Sequence, residues 1–324
     1  MSDSHRWFMA SMSLVVAGQV FAQANGFPTK PMRIVAPYLV GTPSDVAARL
    51  IGQKFTDAWG KGVVVENVAG ASGNIGAERV AKANPDGYTL VLAGNAPMVI
   101  NPSLYKDLPF NPLKDFAPIS QVCLSASMLA VLPSLPAKSV QELVALAKSQ
   151  PGMLTVGSAG SGTPQHMAGE LLNSMAGVRL VHVPYKGTPA SLLDLLGGRL
   201  TAIFGITSVV LPQARSEKVR VLAVTSRNRA AAAPDIPSMA EQGFPDFEAT
   251  SWFALLAPAG TPVAIVNKLH QQTVKALAEA DLRAKFSDLG MEPVGGTPAQ
   301  LMAIIKADLP KWAKVIKDSG AKLD

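Results

Sequence analysis

The chain has 324 residues, a formal net charge of +6, a pI near 9.4 and one cysteine. A lone Cys123 excludes an internal disulfide and dithiol chemistry, and its apolar surroundings, residues 119–132, mark it as a small core side chain. The Lys and Arg residues are scattered without interleaved aromatics, so the basic balance points to a surface that attracts small anions and excludes a nucleic-acid footprint.

From the start of the chain, Arg6 precedes an apolar run from Trp7 to Phe21, and Ala22 and Ala24 frame a small-residue cleavage site. This is the pattern of a signal peptide over residues 1–24, and it predicts export to the periplasm. The run is interrupted and lacks a stop-transfer pattern, whereas an anchor needs about 18 or more unbroken apolar residues. Short β-branched runs then alternate with segments of helical period. Residues 32–36 predict a first strand, and Val46, Leu50, Ile51, Phe55 and Trp59 a helix that stops at Gly60. Strands at 63–66 and 88–92 flank a helix over 74–83, and the alternation resumes with strands at 154–157, 180–183, 202–204 and 219–225. The unit is built twice, which predicts two α/β domains with mainly parallel sheets flanked by helices. The apolar runs 119–132 and 249–257 are the expected crossings. They divide the mature chain into a first domain over 25–123, a second over 124–249 and a helical return to the first over 250–324.

Gly-Thr-Pro occurs five times, at residues 41–43, 162–164, 187–189, 260–262 and 296–298. Each reads as a helix start: glycine turns the chain, threonine caps and proline suits the first helical position. Asp45 and Gln300 fall three residues after their threonines, as in a capping box. The last two tripeptides read as caps alone. The first three follow strands, and in a parallel α/β sheet such loops face the crevice where ligands bind, with unpaired N–H groups and positive partial charge at the helix start. Thr42 and Thr163 therefore mark two candidate anion sites, one from each half of the chain.

Other chemistry is missing. Gly70-Ala-Ser-Gly73 has the wrong spacing for a dinucleotide fingerprint, and the loop from Gly157 to Gly162 is followed by Thr163 where a phosphate loop needs lysine. The histidines His166, His182 and His270 show no metal-ligand spacing, and neither a metal nor any other cofactor is expected. His182 reads as a satisfied core residue, while His166, near the start of the helix after Thr163, is open to a role in the cleft. A hydrolase using Ser161 and His166 lacks both a nucleophile elbow and an orienting third residue.

Longer stretches carry a family resemblance. They are Phe27-Pro-Thr-Lys-Pro-Met-Arg-Ile-Val, Gly73-Asn-Ile-Gly-Ala-Glu, Pro85-Asp-Gly-Tyr-Thr-Leu, His182-Val-Pro-Tyr-Lys-Gly, Asp194-Leu-Leu-Gly-Gly, Val221-Leu-Ala-Val-Thr-Ser, Ser251-Trp-Phe-Ala-Leu-Leu-Ala-Pro and Glu292-Pro-Val-Gly-Gly-Thr-Pro. Over essentially the whole mature chain they resemble the TctC/Bug family, the extracytoplasmic solute-binding receptors of tripartite tricarboxylate transporters. The resemblance implies a periplasmic-binding-protein clamshell of the type II kind, hinged on two crossing strands. It further implies a monomer that takes a small organic acid to membrane transporter subunits without catalysis; a solute sensor serving a signalling partner is the alternative. In such receptors a carboxylate is held between the loop after the first strand and a glycine- and serine-rich loop of the second domain. Here those loops offer Tyr38, Leu39, Val40, Gly41, Thr42 and Asp45 on one side, and Ser158, Ser161, Gly162, Thr163 and His166 on the other. Asn95, Tyr185, Lys186, Gly205 and Ile206 complete the candidate ligand-binding set. Two departures from the family pattern bear on the ligand. Leu39-Val40 stands where Pro-Pro-Gly-Gly usually begins, and Gly205-Ile206 where Asp-Asn is frequent. Both favour an acid with an apolar body over a free amino acid.

Overall fold

The computed structural model describes residues 26–322, so the predicted leader lies outside the described residues. Strands β1 (Met32–Ala36), β2 (Val63–Asn67) and β3 (Thr89–Gly94) are linked by helices α1 (Pro43–Trp59) and α2 (Asn74–Ala81). After the one-turn α3 (Asn101–Leu104), β4 (Phe116–Ser125) leads into β5 (Ser127–Val131). Next come α4 (Val140–Ser149), β6 (Thr155–Ser158), α5 (Pro164–Ala176), β7 (Val181–Pro184), α6 (Thr188–Leu196), β8 (Ala202–Ile206), α7 (Thr207–Arg215) and β9 (Arg220–Val224). The chain ends with β10 (Ser251–Pro258), α8 (Val263–Ala278), α9 (Ala280–Asp288), β11 (Met291–Pro293) and α10 (Pro298–Ser319). The predicted strands all form, with ends displaced by one or two residues.

Two sheets result, in the orders β11-β4-β10-β3-β1-β2 and β7-β6-β8-β5-β9. They are mixed, where the sequence pattern predicts mainly parallel sheets. The strands joined through helices are parallel, β1 with β2 and β3, and β6 with β7 and β8. The strands that pass between sheets run against them: β10 is antiparallel to β3 and β4, and β5 to β8 and β9. A strand that arrives from the other lobe enters its sheet from the cleft end, which is what reverses its direction. The predicted run 119–132 is accordingly two strands broken at Ala126.

Alternation of side chains along each strand sets the layers. In β1, Ile34 and Ala36 face the α1 and α8 side while Val35 faces the other; in β10, Phe253, Leu255 and Ala257 oppose Trp252, Ala254 and Leu256 in the same way. β5 sends Leu129 and Val131 into one cluster and Met128 and Ala130 into another. The cluster holding Val35, Leu129, Phe204 and Trp312 runs through both lobes, because α10 packs against α5. Cys123 is fully buried and its thiol pKa is pushed up by that burial, in keeping with a core residue.

The five Gly-Thr-Pro segments do not behave alike. Thr163 accepts the His166 N–H, and Thr297 forms a complete capping box with Gln300. Thr42 has the extended cap backbone, yet its hydroxyl donates to Leu39 O (2.8 Å) and the Asp45 carboxylate turns to Gly41 N–H, so the predicted box is absent. Thr188 lies inside its helix, with Gly187 as cap. Thr261 donates to Pro258 O and leaves Pro262 as the cap of α8, which corrects the expectation of a threonine cap there. Thr297→Ala should therefore lower the denaturant-unfolding free energy by about 1 kcal/mol, as loss of an N-cap does. Thr42→Ala, which removes no cap bond, should change it by less than about 0.5 kcal/mol.

Candidate functional site

The C-terminal ends of β1 and β6 carry the two loops singled out by the sequence, and they are built differently. In the first, Asp45 is buried at the start of α1, where its carboxylate accepts from Gly41 N (2.9 Å), Asn67 Nδ2 (3.0 Å) and Arg49 (2.9 Å). Asn67 also donates to Tyr38 O at 3.1 Å, so β2 holds the loop in shape. Burial acts to raise the Asp45 pKa, but the hydrogen bonds from Gly41, Arg49 and Asn67 together outweigh it and the net shift is downward. The positive end of α1 thus already faces an anion of its own. Tyr38 lies against Gly73 and meets Phe253 edge-on at 6.4 Å. Its phenol is raised by burial, so it stays a neutral hydroxyl. Leu39 and Val40 stand at the loop tip, 64% and 72% exposed.

The second loop carries no acid in the first turn of its helix. It is organised instead by hydroxyls and imidazoles. Gly160 N donates to Ser158 Oγ (3.0 Å), Thr163 Oγ1 donates to Gly160 O (2.6 Å), and Gly162 N donates to His166 Nδ1 (3.1 Å). The Gly162 N–H takes the Nδ1 lone pair of His166, and Nε2 of the same ring lies 3.6 Å from Glu170 Oε1. His166 is buried and stacks on His182 with ring centroids 3.8 Å apart. His182 Nε2 in turn is 2.7 Å from Ser158 Oγ. The reading of His182 as a core residue is thereby corrected: it sits half-buried on β7, an edge strand, and braces the loop. Ser158, fully buried, pairs its hydroxyl with His182, while His166 receives a backbone N–H.

The remaining candidates have structural engagements. Asn95, buried, donates to Thr250 O (3.1 Å) and accepts from Trp252 N (2.6 Å), which fastens the end of β3 to the second crossing. Tyr185 donates to Asp194 at 2.7 Å, and Lys186 is exposed at the following turn. Ile206 N donates to Thr188 Oγ1 at 3.3 Å. Gly205 is closely walled, since a Cβ there would lie 2.6 Å from Val210 and 2.7 Å from Thr188. The third Gly-Thr-Pro segment therefore anchors the end of β8. Sequence reasoning missed Asn67, which shapes the first loop, and the turn Ala71–Gly73, where Ser72 Oγ donates to Ser161 O at 2.9 Å across the lobes. The glycines around Ser72 were the available signal. Among the described residues no cluster of three or more metal-ligating side chains occurs, and no helix is long and apolar enough to cross a membrane.

Residues 47–321 match the family model described as TctC, the tripartite tricarboxylate transporter family receptor. The chain belongs to this family. Among its relatives, Protein BugT of Bordetella pertussis is 36% identical over 301 residues, covering 93% of this chain and 92% of BugT. Two similar solved structures carry adipate and malate. R. palustris Rpa4515 with adipate has a TM-score of 0.83 at 33% identity, with 92% of this chain and 100% of that one covered. MatC (Rpa3494) from Rhodopseudomonas palustris with bound malate has a TM-score of 0.78 at 30% identity, with 90% and 100% covered. Similarity to the periplasmic binding protein BugD, TM-score 0.79 and 34% identity over 92% and 100% of the two chains, bears out the two-domain clamshell.

For a TctC receptor with Asp45 inside its first loop, pH matters. The folded-state pKa of Asp45 is depressed, so its contribution to loop stability is complete above the ordinary carboxylate value near 4 and is lost as pH falls through the depressed value. The protection factor of the Gly41 amide, measured by NMR hydrogen exchange from pH 5 downward, should fall in the wild type. In Asp45→Asn, which cannot titrate, the acid-induced loosening should be absent.

Proposed function

We propose that the chain is an exported, periplasmic receptor that captures a small organic carboxylate in the cleft between its two sheets and presents it to membrane subunits of a tripartite tricarboxylate transporter. The lobes are residues 25–123 with 250–324, and residues 124–249. One observation carries the placement of the ligand: the start of α5 has a hydroxyl cap and no acid in its first turn, whereas the start of α1 is occupied by Asp45. An external carboxylate is therefore favoured at the Ser158–Thr163 side, where the start of α5 offers positive partial charge that no carboxylate of its own first turn neutralises. The body of the acid extends toward Tyr38, Thr42 and Ile206, with Leu39 and Val40 at the rim. Gly205 leaves no carboxylate at the end of β8 to pair with an ammonium group, and the close walls around it exclude a longer side chain. That supports an acid without an amino group. The carboxylates bound by Rpa4515 and MatC support the same class of ligand, and the receptor family requires no catalytic step.

Calorimetry against adipate, malate, benzoate, leucine and a neutral amide tests the reading. Saturable heats are expected from one or more of the acids and none from the last two; binding of only the amine or the amide overturns it. Thr163→Val, which removes the hydroxyl that caps α5 and holds Gly160 O, should weaken the best acid by about fivefold, the scale of a lost N-cap of about 1 kcal/mol, with the fold intact by circular dichroism.

A further inference from the structure

The turn Ala71–Gly73 has no part in the ligand placement above, yet it is where the first lobe touches the second loop. Ala71 and Ser72 both hold left-handed backbone, at φ of 46° and 51°, a conformation that non-glycine residues adopt only when their surroundings enforce it. The enforcing group is Asn101. It is fully buried, and its Nδ2 donates to Asn74 Oδ1 (2.6 Å) and approaches Ser72 O (3.4 Å) and Ala71 O (3.5 Å). This arrangement points the Ser72 hydroxyl out of the first lobe, where it donates to Ser161 O at 2.9 Å. The other side of the Asn101 amide faces the same place. A Cβ on Gly162 would lie 3.2 Å from Asn101 Oδ1, 3.3 Å from Leu104 and 3.5 Å from Ser72 Oγ, so only glycine lets the lobes meet this closely. Asn101 Oδ1 has no hydrogen-bond partner among the described residues.

We infer that Ser72, held by Asn101, is a positioning residue for closure: its bond to Ser161 latches the two lobes over the ligand without touching the ligand itself. The seam is balanced. The Ser72 bond favours contact, while the left-handed turn and the unpaired Asn101 oxygen oppose it, so closure is responsive to whatever occupies the neighbouring loop. Because Ser161 O is the acceptor and Thr163 follows two residues later, latch and proposed anion site belong to one short loop. The inference rests on the proposed function only for its effect on affinity.

The test compares Ser72→Ala and Ser72→Gly with the wild type. Both lose the hydroxyl, and glycine also relieves the left-handed backbone, so an effect shared by both belongs to the hydroxyl. Spin labels on cysteines introduced at the exposed Lys148 in α4 and Lys275 in α8 report the separation of the lobes; the fully buried Cys123 is left in place. Both variants should populate a wider distribution shifted from the wild-type distance, with a cooperative thermal transition retained. With adipate as probe, both should dissociate about two- to tenfold faster, as removal of one hydrogen bond implies, with little change in the association rate. Wild-type distances in both variants overturn the latch, as does a shift seen only with alanine. Failure of adipate to bind the wild type counts against the proposed ligand class and leaves the distance measurement to decide the latch.

Discussion

A chain that passes twice between two sheets must bend its strands without leaving the backbone groups at the bends unpaired, and the rest of this structure depends on how that is met. At the first crossing Ala126 O accepts from both the backbone and the hydroxyl of Thr207. Ser127 N is taken by the Thr225 hydroxyl, and Ser127 O by Thr225 N. At the second crossing the Asn95 amide closes on Thr250 O and Trp252 N, and the Trp252 indole reaches Asp308 on α10. Small hydroxyl residues and one asparagine thus do at the hinge what a sheet ladder does elsewhere. The lobes are consequently joined by strands whose bends are held by side-chain hydrogen bonds.

That connection puts the ends of β1, β3, β6 and β8 opposite each other, and the helices after β1 and β6 then meet the cleft with their N-termini. The two ends look equivalent in sequence but are electrostatically opposite in character. Asp45 neutralises the start of α1 from within, with Arg49 and Asn67 holding its carboxylate in place. At α5 the loop is kept open in shape by a serine, a threonine and two stacked histidines, none of which carries a fixed negative charge.

The contact between Ser72 and Ser161 connects that chemistry to lobe motion. Loop 158–166 is gripped from below by β7 through His182 and from across the cleft by the 71–73 turn.

Strand and helix positions were legible in the chain because burial against a sheet imposes a period of two and packing of a helix a period near 3.6, and both are local. Thr163 and Thr297 were legible as caps for the same reason: the bonds they make span three residues. The ordered family motifs made the two-lobed receptor and its two loops readable as well. What the sequence did not contain was the choice each polar side chain made among distant partners. Asp45 selected Gly41 and Asn67 over the Thr42 amide, Thr188 selected the end of β8, Asn95 selected the second crossing, and His182 left the core for Ser158. Those partners lie as many as 157 residues apart in the chain. Local sequence determined which segments are strands, helices and turns; only the tertiary structure decided which donors meet which acceptors, because hydrogen bonds are directional and short and are settled only once the sheets have brought remote residues together.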